Sequence, residues 1–315
     1  MTDPAVNLAI EEFAVRNFEI SENYCFLYNN ESSVIVGKNQ NVFEEINNKF
    51  VFKNRLPVYR RISGGGTVFH DINNLNFSFI TKFDSHKFNK YKQFTNPIIK
   101  ALNDMQIPAY LNERNDIFVG DKKISGNAQF TSRDRMISHG TLLFNADLSR
   151  LRDALRSNPE KYESKSSKSF RSSVANIAGF LSAEMSMVEF KQKIKKTIAA
   201  DSCYFAEYYF SKKEWNEINK LADDKYRSFE WNIGRSPGFI FRNKIIVNNE
   251  AVHSEITVKN GLIKKMQLIS DYEILNKFPV LLEGCRYDWE TLRAILINEV
   301  NENIPDETLF ELLFG

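Results

Sequence analysis

A chain of 315 residues with 42 Lys and Arg against 40 Asp and Glu has a net charge of +2 and no basic stripe, which excludes a polyelectrolyte partner such as DNA or RNA. The length suggests about two domains and room for a large core. Cys25, Cys203 and Cys285 are far apart, odd in number and without CxxC or metal spacing; that suits a reducing compartment, and with no apolar leader or bilayer-length apolar run the chain is expected in the cytoplasm, away from membranes.

Asp3 is placed to cap a helix with Pro4 at its first position, and Val6, Ala9, Ile10, Phe13 and Ala14 fall on one face. Residues 24–28 and 34–36 read as the strands of a hairpin around Asn29-Asn30. The polar loop 37–41, GKNQN, leads into a helix from Val42 to about Asn54. Residues 57–62 form a strand that delivers RRISGGGTVFHD, residues 60–71. A strand at 76–81 follows, apolar throughout FSFI as expected if both its faces are covered. Helical spacing returns from Phe88 to Met105, and Pro97 should kink or restart that helix. Short strands are expected at 107–111, 117–119, 122–125 and 128–131, then a longer one at 136–144.

Residues 164–173, SKSSKSFRSS, are the one low-complexity stretch, and composition alone reads them as a surface loop. Residues 188–199 and 215–221 look helical, and 203–210 a strand. Gly and Pro break the pattern at 231–238, which sets a boundary there: residues 1–235 as a catalytic domain and 236–315 as a small accessory domain. Beyond it strands are expected at 239–247, 252–258 and 262–269, with Asn260-Gly261 as a hairpin turn. Helices near 289–301 and 307–314 close the chain, with Asp306 as a cap.

Two stretches carry chemistry. Three consecutive glycines, Gly64 to Gly66, let a ligand sit directly on the backbone, and their N–H groups can form an anion nest. Arg60 and Arg61 stand at the entrance, and arginine suits forked contacts with phosphate or carboxylate. No GK[ST] follows, and the loop is not GxGxxG. The second stretch is Asn115-Asp116, a strand, a turn at Gly120-Asp121, then Lys122-Lys123-Ile124-Ser125-Gly126. Successive side chains on a strand face opposite ways, so only one of the two lysines can enter a pocket. His139 and His70, each alone on an apolar strand, read as supporting rather than catalytic groups, and neither has zinc-site spacing.

Together these stretches resemble a lipoate–protein ligase of the LplA type, in the biotin/lipoate ligase superfamily. The matching segments are DPAVNLAIEEF (3–13), VIVGKNQNVFEEIN (34–47), RRISGGGTVFHD with NLNFSF (60–71 and 74–79), RNDI (114–117), KISGNAQ (123–129), HGTLL (139–143) and FRSSVANI (170–177). Two departures stand out: Asn73-Asn74 where the family has Gly-Asn, and Ser173 where its RSRV has a second arginine. The resemblance implies an α+β fold, with a large sheet-and-helix catalytic domain and a small C-terminal α/β domain.

It also implies an AMP-forming reaction. Lipoate and ATP, with Mg²⁺ carried on the triphosphate, give lipoyl-adenylate; the lipoyl group then passes to a lysine of a lipoyl-domain protein. Such acceptors are the E2 subunits of 2-oxoacid dehydrogenases and the glycine cleavage H protein, and the enzyme is expected to act as a monomer. Carried over residue by residue, Lys123 is catalytic. ATP and adenylate fall to Arg61, Gly66, Thr67, Val68, Phe69, Asn115, Asp116, Lys123, Lys168 and Arg171. Lipoate falls to Arg60, Ser63, Gly64, Gly65, His70, Phe77, Lys123, Ser125, Gly126 and His139. Val68, Phe69, Phe77 and Phe79 are candidates for walling the acyl tunnel. No metal is held by protein side chains alone, although Asp116 could touch Mg²⁺. Two other classes remain: an ATP-independent octanoyl or lipoyl transferase, which needs a cysteine near the acyl site, and a non-catalytic lipoate or adenylate module. No cysteine lies between Arg60 and Ile177.

Overall fold

Asp3 caps the first helix, α1 (Pro4–Asn17): its carboxylate accepts from the N–H groups of Ala5 and Val6, and Pro4 takes the first position. After it come β1 (Tyr24–Asn29), β2 (Ser33–Val36), α2 (Val42–Glu45), α3 (Asn48–Lys53), β3 (Val58–Arg60), β4 (Val68–His70) and β5 (Asn74–Lys82). The middle of the chain gives α4 (Lys92–Asp104), β6 (Ala109–Leu111), β7 (Ile117–Val119), β8 (Lys122–Ser125), β9 (Asn127–Ser132), β10 (Arg135–Leu143) and α5 (Leu148–Leu155). The remainder is β11 (Tyr162–Ser164), α6 (Met187–Ala200), α7 (Lys212–Leu221), β12 (Phe239–Val247), β13 (Glu250–Lys259), β14 (Leu262–Ile269), α8 (Phe278–Leu282), α9 (Trp289–Leu296) and α10 (Asp306–Phe314). This is a computed structural model, and it describes residues 1–85, 88–200, 202, 204–247, 249–270, 273–297, 299 and 304–315.

The fold is mixed α+β, with four sheets among the described residues. The main antiparallel sheet runs β1-β5-β10-β9. Alternate residues of β5 serve its two faces. Leu75 and Phe77 enter a core with α4 and α6, while Ile80 packs with α1 and α7. Both faces of FSFI are therefore covered, as expected. A small sheet, β3-β2-β4, carries the glycine loop, and another, β6-β7-β8, carries Lys123. The fourth sheet, β11-β12-β13-β14, packs with α8, α9 and α10. Asn260 and Gly261 turn β13 into β14 with φ of 54° and 71°, the paired positive values a two-residue hairpin requires.

Several local expectations are corrected. β1 and β2 are not a hairpin: β1 pairs with β5, and β2 with β3 and β4. Asn30, between them, is buried and held by Asn7 Nδ2 at 2.8 Å. The helix expected from Val42 to Asn54 is two short helices, because Asn47 leaves helical geometry and caps α3 through Phe50 N–H. α4 starts only at Lys92 and runs through Pro97 without a break, at the loss of one backbone bond. Residues 204–210 form no strand, and Cys203 lies outside the described residues. α9 ends at Leu296, and Asp306 is the first residue of α10 rather than its cap.

Two pieces from before residue 236 belong to the fourth sheet and its core. β11 pairs Tyr162 with Phe241 and Ser164 with Phe239. Phe43 of α2 packs against Phe239, Tyr287 and Phe314, with ring centroids 5.6, 4.8 and 5.8 Å away. Among the described residues no helix is long and apolar enough to cross a membrane.

Candidate active site

The glycine loop is braced from beneath by Arg61. Its guanidinium donates to Ser63 Oγ (3.0 Å), Ile35 O (3.2 Å), Gly64 O (2.6 Å) and Gly66 O (2.8 Å). Gly65 sits at φ +88°, and a Cβ on Gly37 would stand 2.2 Å from Gly65 O. The GKNQN turn and the glycine loop can approach this closely only because both positions are glycine.

Arg60 is wholly buried and spends its donors on carbonyls: Gly37 O at 2.9 Å, Gln40 O at 2.7 Å and Asn232 O at 2.9 Å. It also donates to Ser236 Oγ at 2.8 Å. Here the structure corrects the sequence reading. Neither arginine holds its fork open to a ligand, because backbone carbonyls fill both, and neither lines the cavity described below. Burial lowers both guanidinium pKa values to about 10, so both stay charged at neutral pH and lend the loop a positive floor.

β8 turns Lys123 and Lys122 to opposite sides. Lys123 Nζ pairs with Asp116 Oδ2 at 2.8 Å, whereas Lys122 Nζ meets Asp121 at 3.0 Å and Ser173 Oγ at 3.1 Å. The backbone of Lys123 clamps the end of the serine-rich stretch: its N–H donates to Ser173 O (2.9 Å), and Ala175 N–H donates to its carbonyl (3.1 Å). Asn115 takes φ +65° and its carbonyl accepts from Asn127 Nδ2 at 2.7 Å. Gly140, of HGTLL, lets β10 close on this corner. A Cβ there would lie 2.2 Å from Asn127 Oδ1 and 2.6 Å from Phe77 Cζ. Phe77 is therefore a core residue, buried between β10 and the helices.

The serine-rich stretch lies across the opening. Ser169 Oγ accepts from Thr67 N–H at 2.8 Å and from Gln40 Nε2 at 3.0 Å, and donates to the Glu45 carboxylate. Ser164 Oγ (2.6 Å) and Ser166 Oγ both donate to Glu44. The Arg114 guanidinium stacks 3.4 Å from the centre of the Phe170 ring. The hydroxyl of Ser169 thus occupies a loop N–H that an anion would otherwise take.

The histidines are internal supports. His139 joins Ser63 Oγ (2.7 Å) to Glu11 Oε2 (2.8 Å), and Tyr28 OH donates to the other Glu11 oxygen (2.9 Å). His70 Nδ1 faces the Asn30 amide at 2.9 Å. The amide donates, so His70 carries its proton on Nε2, which is buried with no partner. Burial, with the nearby charges of Arg61 and His139, pushes His70 down to about 3.

A cavity of about 770 Å³ gathers these parts. Of the expected site residues it is lined by Thr67, Val68, Phe69, Lys123, Ser125, Gly126, Lys168 and Arg171. Ser63, Gly64, Gly65, Gly66, His70, His139 and Asn115 do not line it, and Asp116 is tied to it through Lys123. The sequence reading missed Glu44 and Glu45 on α2, Leu148, Leu151, Arg152 and Leu155 on α5, and Arg156 just after it. The leucine spacing of α5 was the available signal, but any amphipathic helix shows it. Among the described residues no cluster of three His, Cys, Asp or Glu side chains could hold a metal ion.

Residues 3–199 match the family described as the lipoyl protein ligase A/B catalytic domain. The chain is also 42% identical over 299 residues to lipoate–protein ligase 1 of Staphylococcus aureus, covering 94% of this chain and 91% of the relative. The chain belongs to the lipoate–protein ligase family. A crystal structure of a lipoate–protein ligase A bound with ATP superposes with a TM-score of 0.64 at 26% identity, covering 74% of this chain and 95% of that one. A bi-partite lipoate protein ligase of Thermoplasma acidophilum, studied with its E2 lipoyl domain, gives 0.64 at 25% identity over 74% and 93%.

Within this ligase family the departures from pattern can be placed. Asn73 stands where glycine is usual without taking positive φ, and its N–H donates to Asp71 Oδ1 at 2.9 Å. Ser173 contributes its carbonyl and hydroxyl to the two lysines of β8. Burial pushes the Cys25 thiol up to about 12, the opposite of what a thiolate nucleophile needs.

Proposed function

We propose that this ligase joins lipoate to ATP, forming lipoyl-adenylate and releasing pyrophosphate, and then passes the lipoyl group to a lysine of a lipoyl-domain protein. The observation that carries the proposal is one cavity holding both the free edge of the glycine loop at Thr67 and the Lys123 ammonium, beside a leucine-lined wall. In the first step a carboxylate meets an α-phosphate, so two anions must be neutralised together. Thr67 N–H, released from Ser169, and Lys123, released from Asp116, supply donors to the phosphate oxygens. Ser63, Gly64, Gly65, Ser125 and Gly126 position the acyl carboxylate. Val68 and Phe69 pack on the acyl chain or base.

In the second step charge grows on the acyl carbonyl oxygen, and a cation already in place there stabilises the transition state. Lys123 fills that role. Mg²⁺ enters as part of the nucleotide substrate; Asp116, and Glu44 with its unpartnered Oε1, are the carboxylates placed to touch it. The acceptors are E2 subunits of 2-oxoacid dehydrogenases and the glycine cleavage H protein, modified by a monomeric enzyme in the cytoplasm. Residues 1–235 hold the chemistry, and 236–315 close over it.

Pyrophosphate release measured with lipoate, octanoate and biotin in turn tests this. Release should need lipoate or octanoate and ATP, with none from biotin. Acyl transfer to an acceptor without ATP would replace the ligase reading with a transferase.

A further inference from the structure

The cavity has a cationic strip that none of the roles above uses. α5 turns Leu148, Leu151 and Leu155 to the wall and sets Arg152 and Arg156 beside them. Arg152 lies within α5, and Arg156 is the residue just past its end, where a ψ of 75° has left helical geometry. Both are exposed, and neither takes part in an ion pair among the described residues. Arg171 reaches the same strip from the serine-rich stretch, its guanidinium donating to Ser157 Oγ at 3.1 Å. Glu44 and Glu45 of α2 also line the cavity, and the turn after α2 is tied to α5, Asn47 N–H donating to Ala154 O at 2.8 Å. The unpaired arginines of the strip attract a polyanion, and the nearby carboxylates suit the cation that it carries.

We propose that Arg152 and Arg156 bind the β- and γ-phosphates of ATP and the pyrophosphate it becomes. The inference rests on the ligase reading and adds the address of the leaving group. In adenylation a lipoate carboxylate oxygen bonds to the α-phosphorus, the α–β anhydride bond breaks, and pyrophosphate departs with the electron pair. The α-phosphate must stay with the groups that will serve the transfer step, Thr67 N–H and Lys123. The departing tail needs cations of its own, on a different element, so that it can leave without loosening the adenylate. Arginine forks on the cavity rim meet that need. Arg156 also borders a smaller recess lined by Asn47, Asn48 and Asn158, and Arg152, which lines the main cavity and not that recess, gives the cleaner test.

The test compares ATP with AMP. Equilibrium binding of each nucleotide is measured on the full chain, on Arg152→Gln, on Arg156→Gln and on the double variant, with melting temperatures alongside. Losing one charge-assisted phosphate contact should weaken ATP binding about tenfold per arginine, with AMP binding unchanged. Transfer from supplied lipoyl-adenylate, which has no β- or γ-phosphate, should stay at the unmodified rate. Equal losses for ATP and AMP, or no loss for ATP, would overturn the assignment. An unmodified chain that binds AMP and ATP equally would overturn it too, while one that binds no nucleotide would remove the ligase reading itself.

Discussion

Lys123 is held by an ion pair that must open before it can serve a substrate. Its partner, Asp116, and the clamp from Ser173 fix where the ammonium stands. Lys123→Ala should lower both adenylate formation and transfer from supplied lipoyl-adenylate, by about 10²–10³ in rate. Lys122→Ala should leave both nearly unchanged, because its ammonium lies on the Asp121 and Ser173 side. Equal losses in the two variants, in a single-turnover assay of each step, would defeat the assignment. His70 gives a prediction of a different kind. Held neutral down to about 3 in the fold, it binds a proton in the unfolded chain near pH 6.5. Between those values the unfolded state binds more protons, so stability falls as the pH is lowered through that window, by up to about 1.4 kcal/mol per pH unit. His70→Gln should flatten the slope of unfolding free energy between pH 4 and 6. Unchanged slopes in urea melts would show that other groups set the acid sensitivity.

At the scale of elements, what the sequence made legible was local chemistry. Asp3 with Pro4 signalled the start of α1, and Asn260-Gly261 signalled the turn between β13 and β14. Residues 117–119 and 122–125 were read at their observed bounds as the hairpin carrying Lys123. Pairing was not legible, because hydrophobic runs do not name their partners. The strands at 24–28 and 34–36 looked like neighbours and joined different sheets. β11 is only three residues long, and its partner begins far along the chain at Phe239. Arg60 and Arg61 were read by residue type as ligand forks, yet burial gave their donors to carbonyls. Arg152 and Arg156 went unseen because exposed arginines on and just past a short amphipathic helix look like any solvated face. Gly140 shows the opposite limit: the motif was recognised, but only the structure gives its reason. Gly140→Ala should destabilise the fold by about 1–3 kcal/mol through overpacking against Asn127 and Phe77. Thermal melts measure this directly, and an unchanged midpoint would mean that β10 shifts freely.

At the scale of the whole molecule, the serine-rich stretch is tied at both ends. Ser164 pairs with Phe239 in the fourth sheet, and Ser173 is bonded to Lys123. Displacing residues 236–315 therefore pulls directly on the segment that covers the cavity. A chain ending near Ser236 should lose most adenylate formation yet retain some transfer from supplied lipoyl-adenylate, provided that circular dichroism and a cooperative melt show it folded. A folded truncate that makes adenylate at the full-length rate would exclude residues 236–315 from activation. The cysteines should not matter in either step. With Cys25, Cys203 and Cys285 all changed to Ala or Ser, ATP-dependent lipoylation should persist apart from modest packing losses, and a trapped thioester on any of them would show otherwise. The same tie has a consequence during synthesis. Phe43 and Tyr162 leave the ribosome well before Phe239, Tyr287 and Phe314, the rings they pack against. At about 5–20 residues per second the nascent chain waits roughly 10–40 s after Phe43 before even Phe239, its first partner, is made. The first two hundred residues cannot reach their final packing until the last strand and helix have emerged, so a stalled ribosome holds a chain with an open seam, fit for capture by a chaperone.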